Sequence, residues 1–227
     1  MVGHRHGFAA LLNDGAVHME ELALLGQRYV FERAPMAFKQ YPICSYGQAA
    51  TEALCDALLD LKEPVSRVLC EVPAVVLDNM PFGPPQNATE AQFSLPFALG
   101  AVLAFGALLP SHLNAATLAD TRFVAALARV AVQLPSGASV QALEGCAEGA
   151  VLTVTGLSGR VVTRTIRIPS GMPQRPLTDT QLVVKFHACV DPVLGAAGAS
   201  GLRQRLQELP ALAGVRNLYG ALPSQGR

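Results

Sequence analysis

A short glycine-containing loop between two alternating segments limits most strongly how this chain can fold. Residues 151–155 and 160–168 flank the loop, which reads Gly-Leu-Ser-Gly at 156–159. So short a loop with a glycine at each end predicts a β-hairpin, whose two strands are antiparallel. Apolar side chains also alternate over 65–77 and 129–134, and each of these segments predicts a further strand.

Helices are predicted on both sides of these strands, because apolar residues recur there at helical spacing. Pro96 is expected either to kink one helix or to confine the residues before it to a first turn, and Gly106 to end that helix. Thr178 and Gln181 have the spacing of a capping box at another helix start. The order of elements indicates an α+β fold, in which helices pack against an antiparallel β-sheet. A short strand is predicted at 29–31, and a glycine-rich break at 195–201 precedes the last helix. The helices are predicted over 8–12, 19–25, 49–61, 89–105, 117–128, 178–190 and 202–209.

The composition argues against several classes of partner. The 227-residue chain has 17 basic and 17 acidic side chains, so no net field draws it to nucleic acid or to an anionic membrane. The most apolar window, 93–109, contains Pro96 and two glycines and predicts no membrane span. A mean hydropathy of +0.33 with 15% charged residues indicates a large surface buried against a partner, or a chain that is part of something larger.

The cysteines and histidines predict a compartment but no metal site. The five cysteines are scattered and never form a Cys-x-x-Cys pair, which is typical of reduced thiols in a cytoplasmic protein. Neither His18 nor His112 has an acidic residue or cysteine at ligand spacing, and His187 is expected at a surface or an interface. No nucleophile elbow, phosphate-binding loop or dinucleotide-binding motif is present in the sequence.

The strongest candidate for a binding site is the loop 37–48, which leads into a predicted helix. Ser45 and Gln48 have capping-box spacing, and a helix start offers unpaired N–H groups and a positive dipole end to carboxylate or phosphate. Lys39, just before that helix, would add a full positive charge. In the alternative interpretation Lys39 is solvated and Ser45 only caps the helix, and the spacing alone leaves both interpretations open.

Three segments of the sequence resemble landmarks of the MmgE/PrpD family. They occur in the family's order, with the predicted hairpin between the second and the third, and the resemblance extends over nearly the whole chain. The segments are Phe38-Lys39-Gln40-Tyr41-Pro42-Ile43-Cys44, then Glu90-Ala91-Gln92-Phe93-Ser94-Leu95-Pro96-Phe97, then Pro176-Leu177-Thr178-Asp179 leading to Lys185-Phe186.

The resemblance implies cofactor-free chemistry on a small di- or tricarboxylate. The family includes 2-methylcitrate dehydratase, cis-aconitate decarboxylase and iminodisuccinate epimerase, so the implied reaction is dehydration, decarboxylation or epimerisation next to a carboxylate. Members are homodimers with a large helical domain and a smaller α+β lid domain, and the active site lies between the two. By analogy, residues 36–175 are the lid, while 1–35 and 176–227 belong to the helical domain.

The resemblance also assigns roles within the candidate site. Lys39 stands where the family has a lid lysine that faces the substrate, so it is predicted to bind a substrate carboxylate. The helix start at Ser45 to Gln48 is predicted to supply N–H donors. Tyr41 and Tyr46 each either pack or take part in the site. The predicted catalytic residues are therefore Lys39 and Tyr41, and the predicted substrate-binding residues are Lys39, Ser45, Tyr46 and Gln48.

Two departures from the family's pattern affect this assignment. Family members often carry a histidine near the start of the helix after the lysine, where this chain has Ser45 and Gln48. The helical domain that normally precedes the lid, with its histidines, is not in this sequence. We therefore expect a C-terminal portion that shows no turnover alone and receives its base from elsewhere. The alternative is a non-catalytic module or an enzyme remnant that pairs through its exposed apolar faces.

Overall fold

The computed structural model describes residues 4–5, 7–27, 29, 36–211 and 214. The chain divides into two compact units, Met1–Met36 and Ala37–Arg227. In the first unit, helix α1 spans Phe8–Leu12 and helix α2 spans Met19–Leu22, so the helix expected over 19–25 is shorter than predicted. The strand expected over 29–31 lies, apart from Tyr29, outside the described residues. The division predicted within the second unit, at residue 175, stays a prediction.

A four-stranded sheet forms the centre of the second unit. Its spatial order is β2-β1-β3-β4. The predicted hairpin is confirmed, because β3 and β4 pair antiparallel, and β1 also pairs antiparallel with β3. The expectation of a purely antiparallel sheet is wrong at one edge, where β1 and β2 are parallel. The strands are β1 (Val65–Glu71), β2 (Val130–Gln133), β3 (Ala150–Gly156) and β4 (Val161–Ile166).

One face of the sheet is covered by helix α3 (Gln48–Leu61). The helix packs against β3 and β4, and Leu152 and Val154 of β3 are fully buried, as are Leu54 and Ala57 of the helix. Burying one large aliphatic side chain contributes about 1.5–3 kcal/mol, so these contacts fix α3 firmly against the sheet. The sheet with its packed helices confirms the α+β fold class.

A helical crossover explains why β1 and β2 are parallel. Parallel neighbours cannot be joined by a tight turn, and the chain between them passes through five helices. The strand predicted over 65–77 ends at Glu71, because Pro73 follows it and begins the first of these helices. The crossover helices are α4 (Ala74–Asn79), α5 (Ala88–Ala91), α6 (Leu95–Phe105), α7 (Ala115–Ala119) and α8 (Thr121–Leu127), and α9 (Ala138–Ala142) follows β2.

Two segments predicted as single helices are each divided by a capping residue. The Ser94 hydroxyl caps α6 and Pro96 lies in its first turn, so the helix expected over 89–105 becomes α5 and α6. Asp120 caps α8 in the same way and separates it from α7. Gly106 ends α6 with a φ of 75°, as predicted.

The long helix α10 (Asp179–Gln207) is bent at Gly195, where φ is 68° and ψ is 164°. The capping box at its start is confirmed, since the Gln181 N–H donates to Thr178 Oγ1 and the Thr178 N–H to Gln181 Oε1. The glycine-rich break expected over 195–201 is confined to Gly195. Among the described helices, α10 has the length and composition to cross a membrane, although each half is shorter than the roughly 20 residues of a straight span.

Candidate functional site

Backbone hydrogen bonds connect the loop 37–48 to two segments that are distant in the sequence. The Phe38 N–H donates to the Gly171 carbonyl at 2.7 Å, and the Cys44 N–H donates to the Gln92 carbonyl at 2.9 Å. One end of the loop is thereby tied to residues 169–176, which we call the connector. The other end is tied to the segment between α5 and α6. The first two landmarks therefore meet, and the connector that leads to the third landmark is bonded to the first.

Gln48 holds the loop through its side chain. It is 3% exposed, and its amide accepts from the Tyr41 N–H at 2.9 Å while donating to the Tyr41 carbonyl at 3.0 Å. The predicted capping box of Ser45 and Gln48 is wrong, because Gly47 precedes α3 and no side chain caps it. The amide of Gln48 reaches back to Tyr41 instead, so this residue positions the loop. Its contact with substrate stays a prediction.

Lys39 and Tyr41 occupy different environments. The Lys39 side chain is exposed, and its amine has no hydrogen bond or ion pair with any other described residue. Tyr41 is 8% exposed, and burial, together with the neighbouring Cys55 thiol, raises the pKa of its hydroxyl. A phenol in this environment stays protonated and packs in the core, which favours the packing interpretation. The catalytic role of Tyr41 stays a prediction.

The start of α3 lies inside the protein. Residues 47–50 are all buried, and the Thr51 hydroxyl donates to the Gly47 carbonyl at 2.8 Å. Ser45 and Tyr46, just before this helix, are half-buried. Of the predicted substrate-binding residues, Lys39 is thus exposed, while Ser45 and Tyr46 are partly accessible.

A buried carboxylate joins α3 to the connector. Glu52 is 6% exposed, and its Oε2 accepts from the Ser170 N–H at 2.8 Å. Its Oε1 accepts from the Ser170 hydroxyl at 2.8 Å and forms an ion pair with the Arg175 guanidinium, with 2.7 Å between nitrogen and oxygen. Glu52 therefore joins α3 to the connector through both of its carboxylate oxygens.

Gly171 allows the close approach between the connector and the loop. Its φ is +96°, a conformation that glycine adopts far more readily than other residues. A Cβ atom at this position would overlap the carbonyl oxygen of Phe38. Glycine is therefore required here both by its backbone conformation and by the neighbouring chain.

A cavity of about 330 Å³ is lined in part by the connector. Cys146, Glu148, Arg167 and Met172 are among its lining residues, which include none of the predicted site residues. Glu148 Oε2 is buried and accepts no hydrogen bond from the described residues. No group of three or more His, Cys, Asp or Glu side chains in the described part of the chain is arranged to hold a metal ion.

A comparison with protein families identifies the chain. The family model of the MmgE/PrpD C-terminal domain matches residues 41–208. The chain belongs to the MmgE/PrpD family. The match includes the whole sheet, the connector and all of α10, so the resemblance seen in the sequence and its restriction to the C-terminal portion are both confirmed. Comparison with curated proteins gave no match.

The site of this MmgE/PrpD domain combines predicted residues with residues that the sequence did not indicate. Lys39 lies just before the matched segment, whereas Tyr41, Ser45, Tyr46 and Gln48 lie within it. Glu52, Ser170 and Arg175 were not predicted, because their partners are far apart in the sequence: Glu52 and Ser170 are separated by 118 residues. No local pattern signals a contact of that kind.

Proposed function

We propose that this chain is the C-terminal part of a cofactor-free MmgE/PrpD-type lyase or isomerase that acts on a small di- or tricarboxylate. The observation that supports this most strongly is the family match over residues 41–208. It is accompanied by an exposed lysine, Lys39, on a loop whose backbone is hydrogen-bonded on both sides of it. The proposed reaction is dehydration, decarboxylation or epimerisation at a carbon next to a carboxylate.

Lys39 is the proposed carboxylate ligand. Each of the three reactions develops negative charge beside a carboxylate, and a fixed ammonium group stabilises such charge. No described side chain pairs with the Lys39 amine, so its charge is available to a ligand. A hydrogen bond to a charged group contributes about 1.5–3 kcal/mol, which corresponds to roughly a 10- to 150-fold change in the dissociation constant. Ser45 and Tyr46 are proposed to contact the same ligand.

The remaining parts of the proposal concern partners and location. We propose that the catalytic base comes from a helical domain outside this sequence and that the assembled enzyme is a homodimer. Turnover by this chain alone is therefore not expected. A cytoplasmic location is proposed because all five cysteines are free thiols, which is typical of a reducing compartment.

The proposal is tested by titrating the 227-residue chain with cis-aconitate, 2-methylcitrate and iminodisuccinate. NMR titration detects binding even with millimolar dissociation constants. Lys39→Ala is expected to weaken binding of the recognised acid by about 10- to 150-fold, or to abolish it. Lys62→Ala is the matched control, because Lys62 is also exposed but lies at the C-terminal end of α3. Equal effects of the two substitutions would contradict the role of Lys39.

A non-catalytic pairing module is the second candidate function, and the exposure of α10 favours it. Val184 is 63% exposed and Val193 is 67% exposed, although both lie on a long helix. Leu182 of the first half and Leu206 of the second half line a common cavity of about 430 Å³. Exposed apolar surface of this kind is typical of partner contacts. Size-exclusion chromatography tests pairing, and association without any carboxylate binding would support this candidate over the enzyme.

A further inference from the structure

We propose that Glu52, Ser170 and Arg175 are positioning residues that hold Lys39 in place for its ligand. The proposal rests on the proposed function of Lys39 and extends it to three residues that act through the backbone. It follows from a path of hydrogen bonds that runs from Glu52 of α3 through the connector to Phe38, the residue before Lys39.

The path begins at a carboxylate that has little contact with water. Glu52 is 6% exposed, and both of its oxygens accept hydrogen bonds from the connector. Burying a charge is costly unless it is paired, and Arg175 supplies the pairing cation at 2.7 Å. Because α3 is packed against the sheet, its carboxylate fixes the connector relative to the core.

The path continues from the connector to the loop that contains Lys39. The Gly171 N–H donates to the Arg175 carbonyl, and the Gly171 carbonyl accepts from the Phe38 N–H, each at 2.7 Å. On the other side, the Tyr41 N–H donates to Gln48. Lys39 and Gln40 are the two residues between these fixed points, so the Lys39 backbone has little conformational freedom.

The chemical nature of the Glu52 contact supports a positioning role. A buried ion pair contributes little net stability compared with apolar side chains of the same volume, because desolvation offsets the attraction. Directional bonds do, however, impose one geometry on the groups that they join. Two hydrogen bonds from Ser170 and an ion pair with Arg175 converge on Glu52, so the connector has one preferred orientation over α3.

The test compares Glu52→Gln with a chemically matched control, Glu63→Gln. Glu63 accepts from the Ser158 N–H at 3.0 Å and from the Ser158 hydroxyl at 2.7 Å, which are the same two kinds of bond that Ser170 makes with Glu52. Ser158 lies in the turn before β4, whereas Ser170 follows β4. Glu63→Gln therefore removes the same kinds of charge-assisted hydrogen bond at the other end of β4.

The first measurement is amide hydrogen exchange on the full chain, which requires no ligand. Glu52→Gln is expected to accelerate exchange of the Phe38, Ser170 and Gly171 amides at least about tenfold, which corresponds to the loss of one charge-assisted bond. The Tyr41 amide is expected to be unaffected, and Glu63→Gln is expected to change none of these amides. Acceleration throughout α3, or no acceleration at Phe38, would overturn the proposal.

The second measurement is the affinity for cis-aconitate in the wild-type chain, Glu52→Gln, Lys39→Ala and the double variant. Glu52→Gln is expected to weaken binding by about tenfold when Lys39 is present and by less than about twofold in the Lys39→Ala background. An equal loss in both backgrounds would show a merely structural effect and overturn the proposal. Unchanged binding in Lys39→Ala would instead overturn the proposed function, whatever the exchange experiment shows.

Discussion

Glu71 provides the sharpest test of how a buried charge stabilises this fold. Its carboxylate is 5% exposed at the end of β1. Oε1 accepts from the Ser136 N–H at 2.9 Å and from the Ser136 hydroxyl at 2.7 Å, and Oε2 accepts from the Ser139 hydroxyl at 2.6 Å. The charge thus joins the end of β1 to the start of α9. We predict that Glu71→Gln destabilises the protein at neutral pH and that the effect fades in acid.

The expected magnitude follows from these bonds. A hydrogen bond to a charged group contributes about 1.5–3 kcal/mol, against about 0.5–1.5 kcal/mol for a neutral pair. Glutamine keeps one carbonyl acceptor and the shape of the side chain, while relief of the buried charge offsets part of the loss. We therefore expect Glu71→Gln to lower the free energy of unfolding by roughly 2 kcal/mol at neutral pH.

The pH dependence follows from the direction of the pKa shift. Burial raises the pKa of Glu71, but hydrogen bonds from Ser139, Ser136 and Gln133 outweigh it, and the pKa is lowered overall. In the unfolded chain a glutamate titrates near its ordinary pKa of about 4.3. The stabilisation is therefore fully present above that value and is lost as the pH falls through the lower pKa of the folded state.

The assay is urea unfolding of the wild-type chain and Glu71→Gln between about pH 7 and about pH 3. Other carboxylates contribute equally to both proteins, so the difference between them isolates Glu71. Glu144→Gln is the control, because Glu144 is exposed, and it is expected to change stability by less than about 0.5 kcal/mol. A difference between wild type and Glu71→Gln that does not shrink in acid would refute this reasoning.

Two further substitutions test the loop that contains Lys39. Gly171→Ala is expected to lower the free energy of unfolding by at least about 2 kcal/mol and to accelerate hydrogen exchange of the Phe38 amide. The reason is that the φ of +96° at this position and the adjoining Phe38 carbonyl exclude a Cβ atom. A variant with wild-type stability and wild-type protection of the Phe38 amide would contradict this prediction. Gln48→Ala is expected to lower the free energy of unfolding in urea by about 2–4 kcal/mol, since it leaves the Tyr41 N–H and carbonyl without their hydrogen-bond partner. The control Gln141→Ala, at an exposed position of α9, should have little effect, and equal losses would contradict the role of Gln48.

The two capping boxes show why equivalent sequence spacing gave different outcomes. Thr178 and Gln181 cap α10 as predicted, and each side chain accepts from the backbone N–H of the other residue. Gln48 has the same spacing from Ser45, yet its amide bonds to Tyr41 inside the protein. A preference that depends on neighbouring residues is overridden where the tertiary fold offers buried backbone groups that need a partner.

By itself, the sequence determined the features that depend on neighbouring residues. These are the hairpin of β3 and β4, the cap at Thr178, the stop at Gly106 and the ordered landmarks that indicated the MmgE/PrpD family. Each arises from local periodicity, turn chemistry or a short motif, and none requires knowledge of a distant partner.

Only the tertiary structure decided which distant segments meet. It placed β2 parallel to β1, buried Glu52 against Ser170 across 118 residues, and joined Phe38 to Gly171. Such contacts form because leaving a buried charge or a buried backbone group without a partner costs free energy, and the partner can come from any segment that the fold brings near. The candidate lysine is visible in the sequence, whereas the hydrogen bonds of the neighbouring residues Phe38 and Tyr41 exist only in the folded protein.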